Sequence, residues 1–184
     1  EDCYGKAWMI VLAPTDADPA AHVVKKLFAN GFAKLVDNRL ANLMSHADMR
    51  VRMAAQFELA KRNNAEALAG VATGADNRLA RLHGIWGLGQ IGRRTQAVNE
   101  LVLPLLSDAD AEIRTQAAKV LGDAKFESAH GALAKLLADK NPRAQTQAAI
   151  ALSKLPGNHT APVLAMLERS AGTDTALQHA GTLA

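Results

Sequence analysis

Arg81, His83, Trp86 and Gln90 stand close together in one ten-residue stretch, followed by Arg93 and Arg94. An indole flanked by a guanidinium and an imidazole is a stacking platform with a cationic edge. Such a group suits a sugar, a nucleotide base or another aromatic ring. Arginine also recurs at positions 52, 81 and 114, so that Arg52, Arg81 and Arg114 would form a basic row along one surface. The candidate binding set is therefore Arg52, Arg81, His83, Trp86, Gln90 and Arg114, on an inner helical surface. Each member has a structural alternative. Trp86 aligns with Phe57, 29 residues earlier, and two large side chains at equivalent positions would pack between neighbouring units. Arg52 follows Asp48 by four residues and Arg114 follows Asp110 by four, a spacing at which charges meet on a helix. In a stack of units these arginines can also bridge to the neighbouring turn.

Other chemistry is weakly represented. No two of the six histidines are three or four residues apart. Glu127 and His130 form one Glu-x-x-His at a helix start, which offers two metal ligands at most. Gly87-Leu-Gly-Gln-Ile-Gly92 has the letters of a dinucleotide fingerprint, but it closes a helix instead of linking a strand to one. Gly92 reads as a helix C-terminal residue, with Arg93 and Arg94 suiting the negative end of the dipole. Asp108, Asp110 and Glu112 cluster at a turn and helix start, where acids stabilise the N-terminus. The single cysteine, Cys3, excludes an internal disulfide. No catalyst, metal or cofactor is expected in this chain.

The elements that must position these side chains are set by repetition. Asp48, Val51, Arg52, Ala55, Leu59 and Ala60 form a phrase that returns at Asn77, Ala80, Arg81, Gly84, Leu88 and Gly89. It returns again at Asp110, Ile113, Arg114, Ala117, Leu121 and Gly122, and at Asn141, Ala144, Gln145, Ala148, Leu152 and Ser153. The Leu positions are 29, 33 and 31 residues apart. A period of that size predicts a solenoid, whose units bury their apolar faces only by stacking. The spacing predicts helix pairs over 33–44 and 49–62, 65–73 and 78–92, 95–106 and 112–122, 128–137 and 142–155. A fifth pair begins at 159–168 and resumes near Thr173. A further helix is expected over 22–30, ended by Gly31. In every second helix the positions i, i+4 and i+8 share one stripe, with a small residue in the middle for close approach and Leu for bulk.

Composition agrees with helices. Aromatics are only 4% of the chain, and its apolar mass is mostly Ala and Leu, which favour helices over strands. The net charge of +3 comes from basic and acidic residues that alternate, which marks a solvated surface more than a nucleic-acid footprint. The longest apolar run, Ala7 to Ala13, is seven residues, against about 20 for a membrane span. Residues 1–20 read as an extended segment or linker, and 21–184 as the repeat domain with its last unit truncated. The chain reads as a segment of a longer protein.

The phrase Asp-x-x-Val-Arg-x-x-Ala-x-x-x-Leu, from Asp48 to Leu59, resembles the HEAT-repeat superfamily, in particular the short repeats of phycobilisome lyase-type proteins. The resemblance runs from Phe32 to the end. It implies an all-α, right-handed α-α superhelix of about five helix pairs that acts as a scaffold, binding a protein or neighbouring domains through its inner surface. Longer phrases, 48–61, 81–93 and Leu177-Gln-His-Ala-Gly181, resemble the HEAT segment of multidomain planctomycete and verrucomicrobial proteins. Those join a sugar-dehydrogenase-like β-propeller to HEAT repeats and a cytochrome c domain. That resemblance implies an exported or periplasmic parent, with residues 5–10 as the tail of a propeller strand. This chain lacks Cys-x-x-Cys-His, so haem and redox chemistry would lie outside it. Two alternatives are a DNA-binding module like the HEAT-like glycosylases, using Arg50, Arg52, Arg78, Arg81 and Arg114, and a bilin-lyase-like protein.

Overall fold

The computed structural model describes residues 19–170 and 174–183; the expected extended segment over 1–20 lies almost entirely outside them. Ten α-helices follow one another among the described residues: α1 Pro19–Asn30, α2 Asp37–Leu43, α3 Met49–Lys61, α4 Ala65–Gly74, α5 Arg78–Gly92, α6 Ala111–Asp123, α7 His130–Leu136, α8 Pro142–Leu152, α9 Thr160–Ser170 and α10 Thr175–Leu183. The second helices of the pairs stack in order, α3 on α5, α5 on α6, α6 on α8 and α8 on α10.

Second helices begin where the turn chemistry says they should. Asp48, Asn77, Asp110 and Asn141 are their N-caps, and each side chain accepts a backbone N–H of the first turn. The expected stripe is the core. Val51, Ala55 and Leu59 are fully buried, as are Ala80 and Leu88, Ile113, Ala117 and Leu121, and Ala144, Ala148 and Leu152. At the C-termini of α3 and α6, Asn63 and Lys125 take positive φ. There Asn64 N–H donates to Leu59 O and Phe126 N–H to Leu121 O, which closes both helix ends.

Of the first helices, α4 follows the expected 65–73 to within a residue, and others depart from expectation. The helix over 33–44 is broken: Phe32–Lys34 is a 3₁₀ turn, Leu35 and Val36 are extended, and α2 starts at Asp37. Arg62 takes the Leu35 carbonyl and the Asp37 carboxylate, so that stretch is tied to the end of α3. The helix over 95–106 is instead two 3₁₀ segments, Gln96–Leu101 and Leu103–Ser107. Pro104 has no N–H to return to the preceding turn, which interrupts α-helical bonding there. Glu127–Ala129 is likewise a 3₁₀ turn before α7, and α8 ends at Leu152, short of 155.

Gly84 shows why the small middle residue is required. A Cβ built on it would lie 2.8 Å from both Ala72 N and Leu68 O, backbone atoms of α4. Backbone cannot rotate aside as a side chain can. Gly84→Ala is therefore expected to destabilise the fold by about 1–3 kcal/mol through overpacking, although helix propensity alone favours Ala by about 1 kcal/mol. Thermal melts of the two proteins decide it: a higher Tm for the variant would show that α4 and α5 separate at no cost. Gly92 closes α5 as expected, but for a different reason than a left-handed turn. The buried Asn99 side chain presses on it and donates through Nδ2 to the Gly92 carbonyl.

Candidate surface on the second helices

Four residues after each N-cap stand Arg52, Arg81, Arg114 and Gln145. Two residues before each N-cap stand His46, Ala75, Asp108 and Asp139. The first set reaches into the second. Arg114 Nη1 donates to the carbonyls of Asp108 and Ala109 in its own turn, at 2.7 and 3.0 Å. Its Nε and Nη2 fork onto Asp139 in the next turn, at 2.7 and 2.8 Å. Arg81 donates to Asp108 through Nη1 and Nη2 and to the Ala72 carbonyl through Nε. The expected pairs within a helix, Asp48 with Arg52 and Asp110 with Arg114, do not form. Asp48 pairs with Arg50 instead, because its carboxylate is turned toward the first-turn N–H groups. The arginines are struts between units, the neighbouring-turn arrangement.

The carboxylates in these struts are perturbed accordingly. Burial alone would raise Asp108, but the hydrogen bonds from Arg81 and the Asp110 N–H outweigh it and hold the carboxyl below its usual range. Asp139 is lowered chiefly by its bonds to Arg114. Asp48 is drawn down to about 2, mainly by Arg50.

Arg52 differs from the other two. Its Nη1 donates to the carbonyls of His46 and Ala47, both at 2.7 Å, as Arg114 does in its own turn. Its Nε donates to His83 Nε2 at 3.2 Å, and His83 Nδ1 lies 2.7 Å from Gln56 Oε1. Arg52, Gln56 and His83 are all buried. Nε2 accepts from a guanidinium, so His83 is neutral with its proton on Nδ1. Burial, and then the Arg52 charge, push the His83 pKa down to about 4.

That shift carries a sign. The unfolded state takes up the His83 proton near pH 6.5 and the folded state only near 4. Between those values the unfolded chain binds more protons, so the His83 contribution is full above pH 6.5 and lost as pH falls toward 4. The expected loss is at most about 3 kcal/mol. Urea unfolding of wild type and His83→Gln on both sides of the window checks it. Parallel stability profiles for the two proteins would dismiss the account.

The expectation that Trp86 and Phe57 pack together in the core is overturned. Trp86 is 36% exposed and Phe57 47%. The Trp86 ring lies edge-on to His83 at 5.1 Å between centroids, and its Nε1 donates to Gln116 Oε1 of α6 at 3.0 Å. The core stripe is already filled by the smaller residues, so the +9 position of α3 and α5 points outward, whereas Ile150, at +9 of α8, is half-buried against the core. Met49 and Met53 on α3 and Leu79 on α5 are exposed as well. Gln90 is half-buried. The candidate set thus divides: Arg52, His83 and Trp86 are adjacent, whereas Arg81 and Arg114 meet at Asp108, at the turn edge.

Several participants are not singled out by the sequence reading: Asp108 reads there as a helix-start acid, and Asp139 and Gln56 carry no role in it. The column His46, Ala75, Asp108 and Asp139, read down the repeats, carries the signal. His130 Nε2 lies 2.9 Å from His159 Nδ1, and the two residues are 29 positions apart, one repeat. Among the described residues no three His, Cys, Asp or Glu side chains are grouped as metal ligands, and no helix is long and apolar enough to cross a membrane.

No curated protein sequence matches the chain. Among solved structures, the complex of CpcE and CpcF of phycocyanin lyase from Nostoc sp. PCC7120 is similar at 17% identity with a TM-score of 0.59, over 94% of this chain and 67% of that one. An engineered protein is similar at 19% identity with a TM-score of 0.54, over 90% of this chain and 82% of that one. Both likenesses are of fold. Residues 99–181 match the family model of HEAT repeats, and the same capped, small-residue helix phrase extends back to Asp48. Residues 99–181 of the chain are thus similar to HEAT repeats.

Proposed function

We propose that the chain is a non-catalytic interaction module that holds a protein, or neighbouring domains of its own parent, on the concave face formed by its second helices. The observation that carries this reading is the exposed group Met53, Phe57, Leu79 and Trp86 on α3 and α5. Large apolar side chains left in water on adjacent helices mark a contact surface, and Met and Trp are favoured at such surfaces. Pairing of Arg50, Arg78, Arg81 and Arg114 with carboxylates works against a phosphate-binding row.

Phe57→Ala combined with Trp86→Ala tests the reading. Proteins retained by the immobilised wild-type chain are expected to lose at least about tenfold in affinity, roughly 1.4 kcal/mol, while the melting temperature stays within about a degree or two. Equal retention by both proteins would remove the proposal. For the parent, the reading places this module between an oxidoreductase-like propeller and a haem domain. The flanking coding sequence is expected to show a propeller upstream and Cys-x-x-Cys-His downstream. Stop codons close to both ends would dismiss that part alone.

A further inference from the structure

Arg114 shows what a complete strut looks like. Nη1 holds two carbonyls of its own turn, and Nε and Nη2 hold the two carboxylate oxygens of Asp139. In the first unit the position equivalent to Asp139 is Ala75. Arg52 Nη1 still holds its two carbonyls, and the His83 ring nitrogen takes Nε. Nη2 then has no acceptor among the described residues. Nor is Nη2 sealed away: among described residues Asn99 Oδ1 is the one fully buried side-chain polar atom without a partner. Arg52, only 8% exposed, therefore keeps one guanidinium nitrogen that is not fully enclosed and has no acceptor, and among the described residues no carboxylate pairs with it. A cation held in this way, with its geometry fixed by three hydrogen bonds, is preorganised for an anion of the shape that Asp139 supplies to Arg114. His83 is part of the device. As a neutral acceptor it orients the guanidinium without cancelling its charge.

We infer that Arg52 is a receptor for a carboxylate from outside the chain, an Asp or Glu side chain of a protein partner whose neighbouring apolar residues lie on Met53 and Trp86. The inference deepens the interaction reading above and rests on it for the nature of the partner. Charge and surface agree on that chemistry. Met53 is the next residue along α3 from Arg52, and Trp86 touches His83, so the carboxylate contact and the apolar contact are adjacent. The partner segment would complete the row of struts that Asp108 and Asp139 complete internally.

The test needs no partner. Sodium acetate is titrated into the full chain against sodium chloride at equal ionic strength, and the arginine Nε–H resonances are followed. The Arg52 signal is assigned by its loss in Arg52→Lys. A saturable acetate shift at Arg52, at least about tenfold weaker in affinity in Ala75→Asp, is expected. Ala75→Asp supplies the carboxylate internally and is expected to raise the Tm by about 2–4 °C. An Arg52 response no larger than that of the exposed Arg93, or one unchanged by Ala75→Asp, overturns the inference. Because the apolar part of acetate is a single methyl group, too small to span Phe57 and Trp86, those substitutions leave this readout in place. Loss of partner retention with an intact acetate response would thus concern the apolar face, and the reverse would concern Arg52.

Discussion

Arg114→Ala is expected to lower the unfolding free energy by about 3–5 kcal/mol, the cost of breaking a buried ion pair from one side. The guanidinium and the Asp139 carboxylate are only 15% and 9% exposed as side chains. Truncation removes four hydrogen bonds at once, two to Asp139 and two to the carbonyls of Asp108 and Ala109. It also leaves a carboxylate whose remaining partner is the Asn141 N–H. The strut joins α6 to the turn before α8, so the damage falls on the contact between two units. Arg114→Lys should recover little, because one ammonium cannot fork onto a carboxylate and reach two carbonyls together. Removing both charges with apolar residues of similar volume should recover most of the loss. Urea unfolding of the three variants measures this. A loss below about 1 kcal/mol in Arg114→Ala would place the pair among ordinary surface ion pairs.

Leu121→Ala should cost about 2–5 kcal/mol, as buried Leu truncations do. Leu121 is fully buried in α6, which packs on α5, on the 3₁₀ segment Leu103–Ser107 and on α8. Its neighbour Gly122 is pressed against Ala151, so α6 and α8 are already in close contact and have little room to move in over a cavity. Stability in a repeat stack is a sum over units and their interfaces. A deficit in a central unit therefore weakens both halves, and the melt should broaden or divide as well as shift. An unchanged melt would mean that the register of the repeats is wrong.

The acid side of the stability profile follows from the same struts. Asp37, Asp48, Asp108, Asp123 and Asp139 all titrate below the ordinary carboxylate value in the fold. Their contribution is present above the unfolded value and lost as pH falls through the folded ones. His83 acts earlier, between about 6.5 and 4, so the two effects are separable in a titration.

Much of the architecture was legible because it is local and repeated. The cap residues, the small-middle stripe and the Leu column each act within one helix or between equivalent helices, and α3, α5 and α6 lie where the phrase puts them. The first helices were legible in part: α4 lies where the spacing puts it, but the first helices of the first and third pairs are broken. Their breaks come from Pro104 and from Arg62, and Arg62 acts on a segment almost thirty residues away. Nor did sequence alone decide between the readings of the arginines. Spacing within a helix offered Asp48 and Asp110 as partners, but those carboxylates serve their own helix starts. The neighbouring turn was open to Arg81 and Arg114 only because stacking brings the next unit's Asp108 and Asp139 within reach. Trp86 shows the same limit: a large aromatic in a periodic row reads as core, and only packing density reveals that the core is already full.

What the sequence determined by itself, then, is the period, the helix phrase and the column of residues that face the core, since these follow from 3.6-residue geometry and capping. Tertiary structure alone decided which charges are compensated. An ion pair between units depends on distances that no spacing along one helix contains, and so the lack of a carboxylate partner at the buried Arg52 became visible only when the repeats were stacked.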